Sequence, residues 1–187
     1  MSDHRDDATL IRDYLRGDRE ALGGLYDRHA PAVFGYLRKR FGPEEAEDVL
    51  QETFLQAADA LRRYTHRDRL RPWLLTLARS RALDRVRKRA RLREGPWGED
   101  KEEAVPRREP SPLEREVGRE TGRKIESAVA GLPLHQREIF LMREEAGLSF
   151  REISLALGIP LNTALSHMRR ALIALRVALA DLEETLD

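Results

Sequence analysis

The chain has 187 residues, enough for one medium or two small domains. With 36% charged residues and 6% aromatics, its cores must be built mainly from Leu, Ala, Ile and Val, which favours helices. No cysteine is present, so disulfides and thiolate metal sites are excluded and a reducing intracellular setting fits. The start, MSDHRDDATL, is polar and acidic, and no run of 18 apolar residues occurs anywhere. Neither secretion nor membrane spanning is indicated, and a soluble cytoplasmic protein making no membrane contact of its own is expected. The net charge of +1 conceals strong segregation. Residues 62–93 hold 13 Lys and Arg against Asp68 and Asp84, a local balance of +11, whereas residues 1–61, 94–116 and 117–187 are each net negative. A block this lopsided attracts a polyanion, with nucleic acid the default candidate, because solvated faces usually intersperse both signs.

In chain order, Thr9 to Arg16 reads as a short helix ending at Gly17. Asp18 then caps a longer helix running to Phe41, interrupted at Pro31 and stopped by Gly42. Pro43-Glu44-Glu45 is a strong helix start, with proline at the first position and two acids at the positive end of the helix dipole. The helix that follows, Ala46 to about Leu61, packs through Ala46, Val49, Leu50, Phe54, Ala57 and Leu61. Its outer face of Glu47, Asp48, Gln51, Glu52 and Leu55 has the character of a protein-docking surface; a plain solvated face is the alternative.

Arg62 to Pro72 breaks the period and is expected to be a loop. Its Tyr64 among arginines suits a single-stranded or flipped base, the ring stacking while the cations hold the backbone. Trp73 enters a Leu-rich turn and is assigned to the core. From Arg71 to Arg93 one helix packs through Leu75, Ala78, Ala82 and Val86, with Leu74 and Leu83 beside them. Its opposite face carries Ser80, Asp84, Arg87 and Arg91, flanked by Arg81 and Lys88, free to meet phosphate or base edges.

Glu94 to Glu116 has four prolines and eight acids and reads as a linker, in which Trp97 stands out; docking on a neighbouring domain and on a partner are both open to it. Helical pattern resumes at Val117. Ser149-Phe150-Arg151-Glu152 is a capping box opening a short helix to Leu157, Gly158-Ile159-Pro160 is a tight turn, and a longer helix starts at Asn162 or Thr163 and runs through Leu179. Two helices joined this way form a helix-turn-helix, whose second helix is sized for the major groove. That helix packs through Ala164, Met168, Ala171 or Leu172, and Leu175, leaving Asn162, Thr163, Leu165, Ser166, His167, Arg169 and Arg170 exposed.

With both halves read, the sequence resembles the extracytoplasmic-function sigma factors, group IV of the sigma-70 family of RNA polymerase sigma factors, which keep only sigma domains 2 and 4. The resemblance rests on Asp48-Val49-Leu50-Gln51-Glu52-Thr53-Phe54, on Arg71-Pro72-Trp73-Leu74 and Ala82-Leu83-Asp84-Arg85-Val86-Arg87, and in the second half on Leu132-Pro133, Gln136-Arg137-Glu138, Gly147 to Ile153 and Leu157-Gly158-Ile159-Pro160. It implies an all-α protein of two small helical domains joined by an extended linker: sigma domain 2 over residues 1–93, the acidic proline-rich linker over 94–116, and the helix-turn-helix sigma domain 4 over 117–187.

It also implies a non-enzymatic subunit without cofactor or metal that brings core RNA polymerase to promoter DNA and is held inactive by an anti-sigma factor. By the same resemblance Asp48, Gln51, Glu52 and Leu55 dock on polymerase. Arg62, Arg63, Tyr64, Arg67, Ser80, Asp84, Arg87 and Lys88 serve the minus-10 element and melting. Asn162, Thr163, Leu165, Ser166, His167, Arg169 and Arg170 read the minus-35 element. The chain departs from the family pattern at Ser80, where Asn is common, and at Leu165 and His167, where Lys or Arg is usual; the latter two lower the phosphate count.

The runner-up is a helix-turn-helix regulator of the response-regulator type. It needs a sensor or receiver domain with parallel-strand patterning, which the first 90 residues lack. An enzyme is a third reading, but the five histidines have no metal-ligand spacing and no nucleophile or phosphate-cradling motif occurs.

Overall fold

The computed structural model describes residues 4–65, 69–94 and 117–180, and among these the regular structure is helical throughout. Helix α1 (Asp7–Leu15) begins two residues earlier than the pattern suggests, because Asp6 caps it by accepting the Thr9 N–H at 2.7 Å. Asp7 thereby becomes a pin to the next helix, α2 (Arg19–Phe41), accepting from Arg28 at 2.6 Å and pairing with buried His29 at 2.8 Å. Burial works against the Asp7 charge, yet the bonds from His29 and Arg28 outweigh it and hold the carboxyl below the usual range.

Asp18 caps α2 as expected, and Pro31 lies inside the helix without ending it. Gly42 separates α2 from α3 (Pro43–Ala60), which opens on its proline. A 3₁₀ turn (Leu61–Arg63) follows, and α4 spans Leu70–Glu94. The loop expected to last until Pro72 is therefore shorter. Pro72 sits in the first turn of α4, where a missing N–H forfeits no intrahelical bond, and the Trp73 N–H already reaches the Arg69 carbonyl at 3.2 Å.

These helices enclose Val33, Tyr36, Leu37, Val49, Phe54, Leu74, Leu75, Ala78 and Ala82. The α4 packing stripe is the expected one, though Leu83 and Val86 at its far end are only partly buried.

The second half comprises α5 (Val117–Ala130), α6 (Leu134–Glu144), α7 (Phe150–Leu157) and α8 (Leu161–Ala178). The capping box forms in full: the Glu152 N–H donates to Ser149 Oγ at 3.3 Å, and the Ser149 N–H donates to the Glu152 carboxylate at 2.7 Å. Gly158 ends α7 at φ +65°, a left-handed geometry that a Cβ disfavours. Helix α8 starts at Leu161, one residue before the expected Asn162, directly after Pro160. Of the two packing alternatives, Ala171 is buried and Leu172 is half exposed.

The two halves are not apart. Helices α6 and α7 rest on α2 and α4, and the buried residues of both halves form one continuous apolar cluster.

Candidate nucleic-acid and docking interfaces

Helix α4 divides its positive charge between two uses. Arg81, Arg85 and Arg89 recur every four residues, so they line one side of the helix. That side meets α3. Arg81 donates to Gln56 Oε1 at 2.8 Å, and Arg89 pairs with Glu45. Arg85 alone serves three acids: Glu45 at 2.9 Å, Asp48 at 2.7 Å and Glu52 at 2.7 Å. Desolvation works against the Arg85 charge, but the bond to Asp48 and the field of Glu45 raise its pKa overall. Glu45 is buried, so its charge is tolerable only with such partners.

The opposite side of α4 presents Ser80, Asp84, Arg87, Lys88 and Arg91 to solvent. Asp84 and Arg87 approach to 3.5 Å, an exposed pair worth little, so Arg87 is free to exchange it for a phosphate.

The expected docking set lies on the neighbouring helix. Asp48, Gln51 and Leu55 are exposed on α3, Leu55 at 71%, and Glu52 is half exposed. Sequence reasoning missed that Asp48 and Glu52 are held in place by Arg85. The signal was available in the i, i+4, i+8 arginine repeat facing the i, i+3, i+7 acids Glu45, Asp48 and Glu52.

Before α4, Arg62 and Arg63 are exposed on the 3₁₀ turn, while Arg67 falls outside the described residues. Tyr64 is half-buried with its ring 4.9 Å from that of Trp73, so the two aromatics pack on one another beside the core. Trp97 and the linker also lie outside the described residues.

On α8, Asn162, Leu165, Ser166, Arg169 and Arg170 are exposed, and Thr163 and His167 are intermediate. His167 turns toward α6, its ring 5.9 Å from that of His135 and its Nδ1 buried without a partner. Burial, then the neighbouring His135 and Arg170 charges, push its pKa below the usual histidine value of 6.5.

A third cluster was not foreseen. Glu138 of α6 is 2% exposed and accepts from Tyr36 Oη at 2.9 Å and from Arg79 Nε at 2.6 Å, both at Oε1, with Arg79 Nη2 at 3.3 Å from Oε2. Burial and then the Glu138 carboxylate push the Tyr36 phenol well up; burial opposes the Arg79 charge, but the Glu138 pair prevails. An acid at Glu138, on the face that also buries Leu141 and Met142, was the available sign of a buried pair.

Residues 25–92 match the model of sigma-70 region 2, and residues 122–175 match that of sigma-70 region 4. The chain is 32% identical over 174 residues to the RNA polymerase sigma factor NccH of Alcaligenes xylosoxydans xylosoxydans, covering 91% of this chain and 93% of that one. It is 32% identical over 183 residues to the ECF RNA polymerase sigma factor SigD of Mycobacterium bovis, covering 92% and 82%. Among solved structures, CnrH in complex with the cytosolic domain of CnrY shares the fold with a TM-score of 0.69 at 22% identity, over 94% of this chain and 97% of that one.

Proposed function

Because the chain belongs to the extracytoplasmic-function group of the sigma-70 family of RNA polymerase sigma factors, we propose the following division of its surface between polymerase and promoter. As a sigma factor the protein binds core RNA polymerase and directs promoter recognition, DNA opening and transcription initiation. The regulator alternative is not favoured, since sigma-70 region 2 occupies the stretch where a sensor or receiver would have to lie.

In the proposed division, residues 1–93 act as sigma domain 2, 94–116 as the linker and 117–187 as sigma domain 4. Asp48, Gln51, Glu52 and Leu55 dock on core polymerase. Arg62, Arg63, Tyr64 and Arg67, with Ser80, Asp84, Arg87 and Lys88 of α4, serve the minus-10 element and melting. Asn162, Thr163, Leu165, Ser166, His167, Arg169 and Arg170 read the minus-35 element.

The observation that carries this reading is the partition of α4: Arg85 and Arg89 are paired with acids of α3 and Arg81 is held by Gln56, whereas Arg87, Lys88 and Arg91 face solvent beside Ser80. Phosphate contacts from that face supply affinity, and base contacts supply sequence. The half-buried Tyr64 would have to leave Trp73 to stack on a flipped base, at a cost offset by polymerase and DNA contacts.

The chain acts by binding, with no reaction of its own, in the cytoplasm, and an anti-sigma factor is its expected inhibitor. Among the described residues no helix is long and apolar enough to cross a membrane. Run-off transcription with the cognate core tests the reading. The chain should select one start site, and no selection would sink it. Arg87→Ala with Lys88→Ala should impair opening more than core binding, and Asp48→Ala with Gln51→Ala should do the reverse. Equal losses in both assays would refute the division.

A further inference from the structure

Two rows of exposed residues run side by side along the start of α8. Leu161, Leu165 and Arg169 recur every four residues on one row, and Asn162, Ser166 and Arg170 on the next. The opposite side of the helix is buried at Ala164, Met168 and Ala171, so packing fixes which way both rows point. The entry to the helix is fixed as well: Gly158 is left-handed, the Ser154 hydroxyl donates to the Ile159 carbonyl, and the Ala164 N–H donates to the Pro160 carbonyl at 3.1 Å.

The two rows differ in chemistry. Leu161 is 36% exposed and Leu165 42%, an apolar pair one turn apart beside the polar Asn162 and Ser166. Single exposed leucines are ordinary on a protein surface. What sets this pair apart is its place, in the first two turns of the helix assigned to the major groove, where side chains reach base edges. His167 is withdrawn from that surface, because its ring turns toward His135. Each row ends in an arginine, and among the described residues neither Arg169 nor Arg170 is paired with an acid, so both are available to phosphates.

An A·T pair displays the matching edge. Across the major groove it presents the adenine N7 acceptor and N6 donor, the thymine O4 acceptor and then the thymine C5-methyl, the one alkyl group on any base edge there. Asn162, beside Leu161, carries the donor and the acceptor that adenine N7 and N6 call for. Leu161 and Leu165 lie about 6 Å apart along the helix axis, comparable with two base-pair steps of about 3.4 Å, so the two side chains can cover methyls of nearby pairs. Guanine or cytosine in the same place would set a polar edge against leucine and leave it desolvated without a bond.

We propose that Leu161 and Leu165 are specificity-determining residues that read thymine methyl groups, making α8 selective for A·T pairs in the upstream promoter element. The inference rests on the assignment of α8 to the minus-35 element and adds what that helix recognises.

Deoxyuridine tests this directly, because it keeps the pairing and hydrogen-bonding edge of thymine and lacks only the methyl. Duplexes selected from a random pool by the full-length chain with its cognate core define the promoter. Its upstream element is the one whose enrichment is lost in Arg169→Ala with Arg170→Ala. That element should contain thymine on at least one strand. Replacing a contacted thymine by deoxyuridine should weaken binding of the unaltered holoenzyme by about 4-fold, the value of one buried methyl. Leu165→Ala should abolish that penalty at one thymine and Leu161→Ala at another, whereas a purely structural role would weaken binding to both duplexes alike. Leu165→Arg should change the preferred pair at its position from A·T to G·C, with the guanidinium on guanine N7 and O6.

An upstream element without thymine would overturn thymine reading while leaving the assignment of α8 intact. So would a deoxyuridine penalty that is absent from the unaltered chain, or equal in it and in both alanine variants. A fall in core affinity for Leu165→Ala without any change in base preference would overturn it too, and would assign the leucines to polymerase. If the arginine variants abolish no enriched element, the assignment of α8 to DNA fails, and the inference fails with it.

Discussion

The two helices proposed to contact DNA are positioned by different means. Helix α4 is aligned by its neighbours across space: Arg81, Arg85 and Arg89 each reach a side chain of α3, and Leu74, Leu75 and Ala78 are buried against α2 and α3. Helix α8 is aimed by devices within a few residues of one another, namely the Ser149–Glu152 capping box, the left-handed Gly158 and the Ser154 hydroxyl donating to the Ile159 carbonyl at 2.5 Å. Tertiary ion pairs weaken as salt or mutation removes a partner, whereas local caps act on one helix end and leave the rest intact. The first half should therefore respond to changes far apart in sequence, and the second chiefly to changes inside its own turn.

The largest effect should come from the shared requirement of both halves, a packed core. Leu75→Ala, at a fully buried position of α4, should lower unfolding free energy by about 2–5 kcal/mol in urea titration. Next is Arg85→Ala, which strips one partner from buried Glu45 and frees Asp48 and Glu52. A loss of about 1–3 kcal/mol is expected, with a parallel fall in core-polymerase affinity. Arg85→Lys should recover part of the stability but less of the affinity, since one ammonium cannot serve three carboxylates in a fixed fork. A neutral Arg85→Ala would break the contrast drawn between the halves.

Ser149→Ala should cost about 1 kcal/mol and weaken minus-35 binding while leaving polymerase docking unaltered. This effect should persist in high salt.

The smallest effect concerns His167. Its folded pKa lies below 6.5, so the unfolded chain takes up the proton first as pH falls. Its neutral form is compatible with the fold at full strength above pH 6.5, and stability drops as pH descends from there to the folded value, then levels off. Thermal melts between pH 7.5 and 5 should show that decline, and His167→Gln should flatten it by removing the group that faces His135 and Arg170.

Much of the fold was legible because it depends on neighbours in sequence. Helix stops at Gly42 and Gly158, starts at Asp18, Pro43 and Ser149, and the stripe Leu75-Ala78-Ala82 each follow from the residue at that place. The differences are equally local. The break in period after Arg62 predicts a loop to Pro72, yet proline is at home in a first helical turn and α4 starts at Leu70. Of Ala171 and Leu172, which the period alone does not separate, Ala171 is the buried one. Of the residues proposed for the interfaces, the outward face of α4 and the exposed edge of α8 were readable from period alone. Tyr64 was not, because its choice between solvent and Trp73 depends on a ring nine residues away.

The sequence by itself determined the helices, their order, the charge segregation and the helix-turn-helix, because periodicity, capping and turn geometry act over fewer than ten residues. Only the tertiary structure decided which of the arginines remain available to a partner. Arg79 and Arg85 look like any other members of the basic block, yet one is spent on Glu138 across the domain boundary and the other on three acids of α3. The physical reason is that pairing depends on which charges share a low-dielectric contact once the chain has folded: the arginine and acid repeats mark two stripes of matching spacing, but over separations of 33 to 59 residues nothing local says which groups meet.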